Sequence, residues 1–389
     1  MSSVSSPLHL AVALDGTGWH PASWREPAAL PIDLSTPRYW TELVTEAERG
    51  LLDFVTIEDG LALQSEDPLH TDDRTDRVRG RLDATLIASR VAPRTHHIGL
   101  VPTVIATHTE PFHASKAIAT LDYVSSGRAG MRVQVTASPD AAGHFGRRSA
   151  ADLAADGLLD EAADYVEVVR RLWDSWEDDA EIRDVAGGRF VDRTKLHYID
   201  FEGARFSVKG PSITPRPPQG QPIVAALGHG EAAHRLIAAS ADVGFVTPHS
   251  AAETAGIVDA IAARRTSGSP VRVFADLVVF IDHTADAAAS RLRRLDDVAG
   301  GEFTSDAEVF TGTPQQLADL LQLWHAAGVA GFRLRPATLP HDLVQITDGL
   351  VPELQRRGVF RTTYSGHTMR DTLGLARPAN RYSTAGTTT

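Results

Sequence analysis

The chain has 389 residues, 42% of them hydrophobic, so it can bury a large core without covalent staples. Its 38 Lys and Arg against 50 Asp and Glu leave a net charge of -12, which argues against a nucleic-acid backbone or an anionic membrane as the partner. Cysteine is absent, which excludes disulfides, thiolate nucleophiles, zinc–thiolate sites and iron–sulfur clusters together.

In chain order, HLAVAL (His9 to Leu14) predicts a first strand, ending in the turn signal Asp15-Gly16-Thr17-Gly18. Trp40, Leu43, Val44 and Ala47 then recur at helical spacing, with Gly50 as a stop. FVTIED (Phe54 to Asp59) predicts a second strand, and a polar stretch rich in Asp and Arg (64–81) separates it from the helix LDATLIASRVA. A third strand (His97 to Thr107), a helix (Pro111 to Val124), a fourth strand (Met131 to Ala137) and a helix (Leu158 to Trp176) follow. An insertion rich in Gly, Pro and charge occupies 177–218. Beyond it the alternation resumes with PIVAAL, ADVGFVTP, VRVFADLVVFID and GFRLRPA, each followed by a helical pattern, and 300–309 reads as a further insertion. The domain is expected to span 8–360, with 361–389 as a polar tail that makes an excursion or is partly disordered. No apolar run is long enough to span a bilayer, and MSSVSSPLHL lacks the basic and apolar regions of a secretion signal, so a cytoplasmic protein is expected.

Eight strand–helix units pack as a closed barrel or as an open doubly wound sheet. The open sheet calls for a three-glycine fingerprint after strand one. Asp15-Gly16-Thr17-Gly18 lacks the third glycine and runs into Trp19, His20 and Pro21, which would block a pyrophosphate. The expected fold is therefore the α/β class, a (β/α)8 TIM barrel with insertions.

A barrel carries its reacting groups at the carboxyl ends of the strands. Those ends supply Asp15, Thr17 and His20, then Glu58 and Asp59, then Thr107, His108 and Glu110, then Gln134, Thr136 and Ser138, then Gly228 to Gly230, then Thr247 and His249. The sixteen histidines form no HExxH and no His-x-His on a strand, which argues against a metal site. Neither a GxSxG elbow nor a cysteine offers a nucleophile, and Glu58 and Asp59, being adjacent on a strand, face opposite ways. One segment has a clear physical use. PIVAAL runs through Gly228-His229-Gly230 into a helix beginning near Glu231, an arrangement whose free backbone N–H groups suit a phosphate, although glycine also simply turns such loops.

The string GLVPTVIATHTEPFHASKAIATLDYVSSGRAGMRVQV (Gly99 to Val135) resembles the flavin-dependent monooxygenases of the bacterial-luciferase-like superfamily, in the branch of the nitrilotriacetate and alkane monooxygenases. FVTIEDG, HFGRR, YVEVVRRLWDSWEDDA, HYIDFEGARFSVKGPSITPRPPQGQP and ASADVGF continue the similarity over about 8–360. The resemblance implies a barrel that takes up reduced FMN as co-substrate and reacts it with O2. It would oxygenate a small organic substrate through a C4a-(hydro)peroxyflavin held away from water. It also implies a separate NAD(P)H:flavin reductase as partner and a homodimer.

Carried over by residue, Asp59 and Thr107 correspond to positions beside the flavin ring. Arg132, Gln134 and Thr136 correspond to the segment lining ring and ribityl chain, and Gly228, His229 and Gly230 to the phosphate loop. His20 and His108 stand at strand ends where a catalytic group would face substrate. The chain departs from its relatives at four places. His229 and Gly230 replace two small hydroxyl residues, Leu159 a tyrosine that reaches the phosphate, Ala137 a histidine near substrate, and Met131 a common tryptophan. Three alternatives stay in view: a deazaflavin-dependent oxidoreductase of the same superfamily, a non-catalytic flavin-binding barrel, which the missing phosphate ligands suggest, or a metal-dependent barrel hydrolase.

Overall fold

The computed structural model describes residues 7–383 apart from Pro68 and Ser267. Eight parallel strands close a barrel: β1 (His9–Leu14), β2 (Phe54–Ile57), β3 (Gly99–Ile105), β4 (Gly130–Gln134), β5 (Ile223–Leu227), β6 (Val243–Val246), β7 (Arg272–Ile281) and β8 (Gly331–Pro336). Each pairs with its sequence neighbour, and β1 closes the ring on β8 with His9 opposite Gly331. The strands are short, apolar and almost wholly buried because helices cover their outer face while side chains fill the inside. The helices begin where the chemistry of their caps dictates. Thr36 accepts from the Tyr39 N–H ahead of Pro37, Asp83 from the Leu86 N–H, and Thr313 forms a reciprocal box with Gln316.

Alternation along the strands sorts the interior into layers. Phe54, Val101, Ile223, Phe245 and Phe274 fill the amino-terminal half as one apolar cluster. Above them, toward the carboxyl ends, the inward positions become charged: Glu58, Arg132, Asp276, Arg333 and Arg335 are all buried. The Arg333 guanidinium lies 4.1 Å from the centroid of the Phe245 ring, so it forms the floor of the charged layer on the roof of the apolar one.

The structure adds two features to the expected outline. The described segment after Arg361, as far as Ser383, packs against the barrel. Met369, Leu373 and Leu375 join the apolar cluster under the barrel, Arg361 pairs with Asp53, and Arg370 pairs with Asp242. Its few apolar residues plug the end of the barrel, a destination that a polar average conceals. Within the expected insertion 300–309, the chain instead enters a ninth strand, Glu308–Gly312, which pairs with the carboxyl half of β7 from Leu277 to Ile281. This strand is only partly buried, so it shows no apolar run. The 177–218 insertion carries two small hairpins, Glu181–Asp184 with Arg189–Val191 and Phe201–Glu202 with Ser207–Val208. The described residues of the 64–81 insertion form no regular element and are tied together by Arg74 with Asp76, Arg77 with Glu66, and Arg79 with Asp72. Among the described residues, no helix is long and apolar enough to cross a membrane.

Candidate active site

The carboxyl end of the barrel opens into a cavity of about 380 Å³. Asp59 from β2, Arg132 and Gln134 from β4, and His229 after β5 all line it, together with Trp19, Glu58, Arg81, Leu159, Asp306, Arg333 and Arg335. Four of the residues expected at a flavin thus converge from three strands onto one space. Asp59 is held rigidly: its carboxylate accepts from the Gly60 N–H at 2.7 Å and the Ala84 N–H at 2.9 Å, while burial raises its pKa above the ordinary carboxylate range.

Beneath the opening lies an ion-pair lattice. Arg132 donates to Thr103 Oγ1 at 3.1 Å, to Gln134 Oε1 at 2.8 Å and to Glu58. Burial lowers the Arg132 guanidinium to about 10, with Glu58 opposing that shift. Asp276 receives both Arg333 (2.9 Å) and Arg335 (2.9 Å), and Arg335 reaches on to Asp306 at 2.6 Å. Burial alone would raise Asp276, but the two guanidinium groups outweigh it and hold the carboxyl low. Charges this deep persist only when paired, so the lattice is a single interlocked unit.

At the phosphate-loop position the structure separates two glycines. A Cβ on Gly228 would lie 2.8 Å from Ile237 and 3.0 Å from Ala233, so its smallness serves helix packing. Gly230 has φ +77°, and a Cβ there would meet nothing within 4 Å, so the backbone at the start of helix Gly230–Ser240 is open to an approaching group. No side chain caps that helix. The His229 ring bonds Thr247 Oγ1 at 2.9 Å and Asp306 Oδ2 at 3.3 Å. Asp306 therefore stands beside the loop, and although burial opposes it, bonds from His229 and Arg335 keep its carboxyl ionised well below the usual range.

The remaining expected residues lie elsewhere. Thr107 Oγ1 accepts from the Thr136 N–H at 2.9 Å, and Thr136 Oγ1 from the Ser138 N–H at 3.3 Å, so both brace the ends of β3 and β4. Thr107 and His108 line a separate cavity of about 260 Å³ with Arg147, Arg148 and Arg205. His108 stacks on Phe145 at 4.9 Å, its Nε2 is buried without a partner, and burial lowers its pKa. His20 is wedged against Phe303 and Phe280 with both ring nitrogens engaged, Nδ1 by the Ala22 N–H (3.1 Å) and Nε2 by Asp296 (3.1 Å). Those bonds hold the β1 loop.

Residue reading missed Arg333, Arg335, Asp276 and Asp306. The signal was present: GFRLRPA places two arginines two apart in an otherwise apolar strand, and Asp276 interrupts VRVFADLVVFID. A charge at an inward position of a buried strand must have a partner on a neighbouring strand. Among the described residues, no group of three or more His, Asp or Glu gathers as metal ligands would.

The profile of the luciferase-like monooxygenases matches residues 17–331. The chain is 32% identical to N-acetyl-S-(2-succino)cysteine monooxygenase of Bacillus subtilis (strain 168), over 98% of this chain and 100% of that one. It is 30% identical to nitrilotriacetate monooxygenase component A of Aminobacter aminovorans, over 96% and 97%. The crystal structure of a long-chain alkane monooxygenase superposes with a TM-score of 0.83 at 25% identity, covering 95% of this chain and 96% of that chain.

Proposed function

The chain belongs to the luciferase-like monooxygenase family, and from that membership we propose that this monooxygenase takes up reduced FMN from a separate NAD(P)H:flavin reductase and uses O2 to oxygenate a small organic substrate. The observation that carries the reading is the convergence of Asp59, Arg132, Gln134 and His229 on one 380 Å³ cavity at the carboxyl end of the barrel. Its chemistry suits a flavin. Arg132 and Gln134 offer polar groups at depth, Leu159, Val135, Leu227 and Leu236 offer apolar wall, and the open backbone at His229 and Gly230 offers N–H groups to a phosphate. When bound, reduced flavin supplies the electrons that activate O2. The protein's own part is to orient the ring through Asp59, Arg132 and Gln134, and to keep water from the reacting centre. The word "component" in the nitrilotriacetate relative's name supports a reductase partner, and a homodimer is the assembly we expect.

The test is a coupled assay with added flavin reductase, NADH, FMN and candidate substrates, scored by mass for products gaining one oxygen atom. Oxygenated product that depends on the reductase supports the reading. Turnover with reduced deazaflavin under anaerobic conditions, and none with FMN, overturns it. Light scattering that gives the 41.8 kDa monomer at micromolar concentration overturns the dimer.

A further inference from the structure

A second, larger cavity of about 560 Å³ adjoins the mouth, and the two share Glu58 and Arg81 in their walls. Its size lies within the usual range for a small-molecule site. Trp24, Pro31, Leu34, Trp40, Val78 and Leu82 supply an apolar lining. The two indoles are fixed: Trp24 Nε1 donates to the Asp76 carbonyl at 2.9 Å with Arg25 lying 5.0 Å over its ring, and Trp40 Nε1 donates to the Leu34 carbonyl at 2.9 Å. This wall is therefore shaped before any ligand arrives.

The charged groups of the same wall are Asp15, Glu58, Arg77, Arg79 and Arg81. Four of the five are satisfied inside the protein. Asp15 binds Arg81, Glu58 binds Arg132, and Arg79 binds Asp72 and the carbonyls of Asp72 and Arg74. Arg77 is the exception. Its side chain is 11% exposed, its Nη2 reaches Glu66 at 2.6 Å, and its Nε–H is buried with no acceptor. Glu66 is 63% exposed, so that pair is weak and yields readily to a competitor. Among the described residues, Arg77 is therefore the one cation of this wall whose only carboxylate partner is solvent-exposed and shared with Arg74, and beside the indole and aliphatic carbon of the cavity it can exchange that partner for an anionic ligand.

Resting on the flavin-monooxygenase reading, we propose that this cavity is the substrate site and that Arg77 is its specificity-determining residue, selecting substrates that join an aromatic or extended apolar body to a carboxylate or sulfonate head. The head pairs with Arg77, the body lies along Trp24 and Trp40, and the shared wall at Glu58 and Arg81 gives the far end access to the mouth.

The experiment is calorimetric titration of the full chain, without flavin or reductase, with biphenyl-4-carboxylate, biphenyl-4-sulfonate and the neutral biphenyl-4-carboxamide. The expected result is that both anions bind about tenfold or more tightly than the amide. Arg77→Gln should erase that preference while leaving amide affinity within about twofold, and Trp24→Ala should weaken all three alike. Arg77→Lys, which keeps the charge but loses the planar fork, should retain only part of the preference, and it serves if Arg77→Gln fails to give the parent circular dichroism spectrum. Which anion binds better distinguishes a carboxylate from a sulfonate substrate. Equal binding of acid and amide by the parent, or a preference that survives in Arg77→Gln or stays undiminished in Arg77→Lys, overturns the proposal. Because the titration contains no flavin, its outcome is separate from that of the coupled assay: probes that bind as expected while turnover requires deazaflavin would sink the FMN reading and leave the anion site standing.

Discussion

The two ends of the barrel are built from opposite materials. At the amino-terminal end Phe54, Phe245 and Phe274 pack against Met369, Leu373 and Leu375, so the barrel closes on carbon. At the carboxyl end Glu58, Arg132, Asp276, Arg333 and Arg335 close it with charge, and cavities open directly above them. Apolar packing tolerates no gap but makes no directional demand, whereas an ion-pair lattice fixes where each group points. The first suits an end whose task is stability, and the second suits an end that must hold a polar ring in one orientation.

The sharpest way to break this division is at Asp276. Asp276→Ala leaves Arg333 and Arg335 without their shared carboxylate, and breaking a buried pair costs about 3–5 kcal/mol. Urea unfolding should show that loss. A value below about 1 kcal/mol would mean the lattice is solvated rather than interlocked.

At the opposite end Leu373→Ala removes a fully buried side chain and should cost about 2–4 kcal/mol, with FMN affinity unchanged once the variant is folded. Loss of flavin binding at full helicity would show that the two ends are coupled.

Gly230→Asp at the rim places a carboxylate at the open backbone. It should weaken FMN binding roughly a hundredfold, while riboflavin, lacking the phosphate, stays near its parent affinity. Gly230→Asn bears the same backbone strain at φ +77° without the charge, so a drop equal to that of Asp would attribute the effect to strain.

The smallest effect concerns pH. Burial would raise Asp53, but His9 and Arg361 outweigh it and hold the carboxyl below its ordinary 3.8. A depressed folded value stabilises the fold above the unfolded pKa, and that contribution disappears as pH falls through the lower folded value. Arg361→Ala should therefore move the acid-unfolding midpoint to higher pH and cost about 1–2 kcal/mol at neutral pH. An unchanged midpoint would show that the tail does not hold this end.

Strand order and barrel closure were legible because each strand is a short apolar run with a helix after it, as in HLAVAL and PIVAAL. That Asp59, Arg132, Gln134 and His229 would line one cavity was legible through resemblance, which carries position along the chain but not what a side chain touches. His20 shows the difference: its strand-end address pointed to substrate, yet Asp296, 276 positions away, claims its ring. The ion-pair lattice stayed hidden because its members come from strands distant in sequence, and periodicity reports only one strand at a time. Met369 and Leu373 stayed hidden because a plug needs only a few apolar residues within a polar stretch.

The manner of closure also sets the order of assembly. β1 finds its second neighbour only in β8, with His9 opposite Gly331, and the floor is sealed by residues 369–375. During synthesis β1 can gain this neighbour only once β8 has been made, and Phe54 and its apolar neighbours gain their Met369, Leu373 and Leu375 cover later still. Such sequence-distant pairing slows folding, and apolar surface that waits for a late partner favours aggregation.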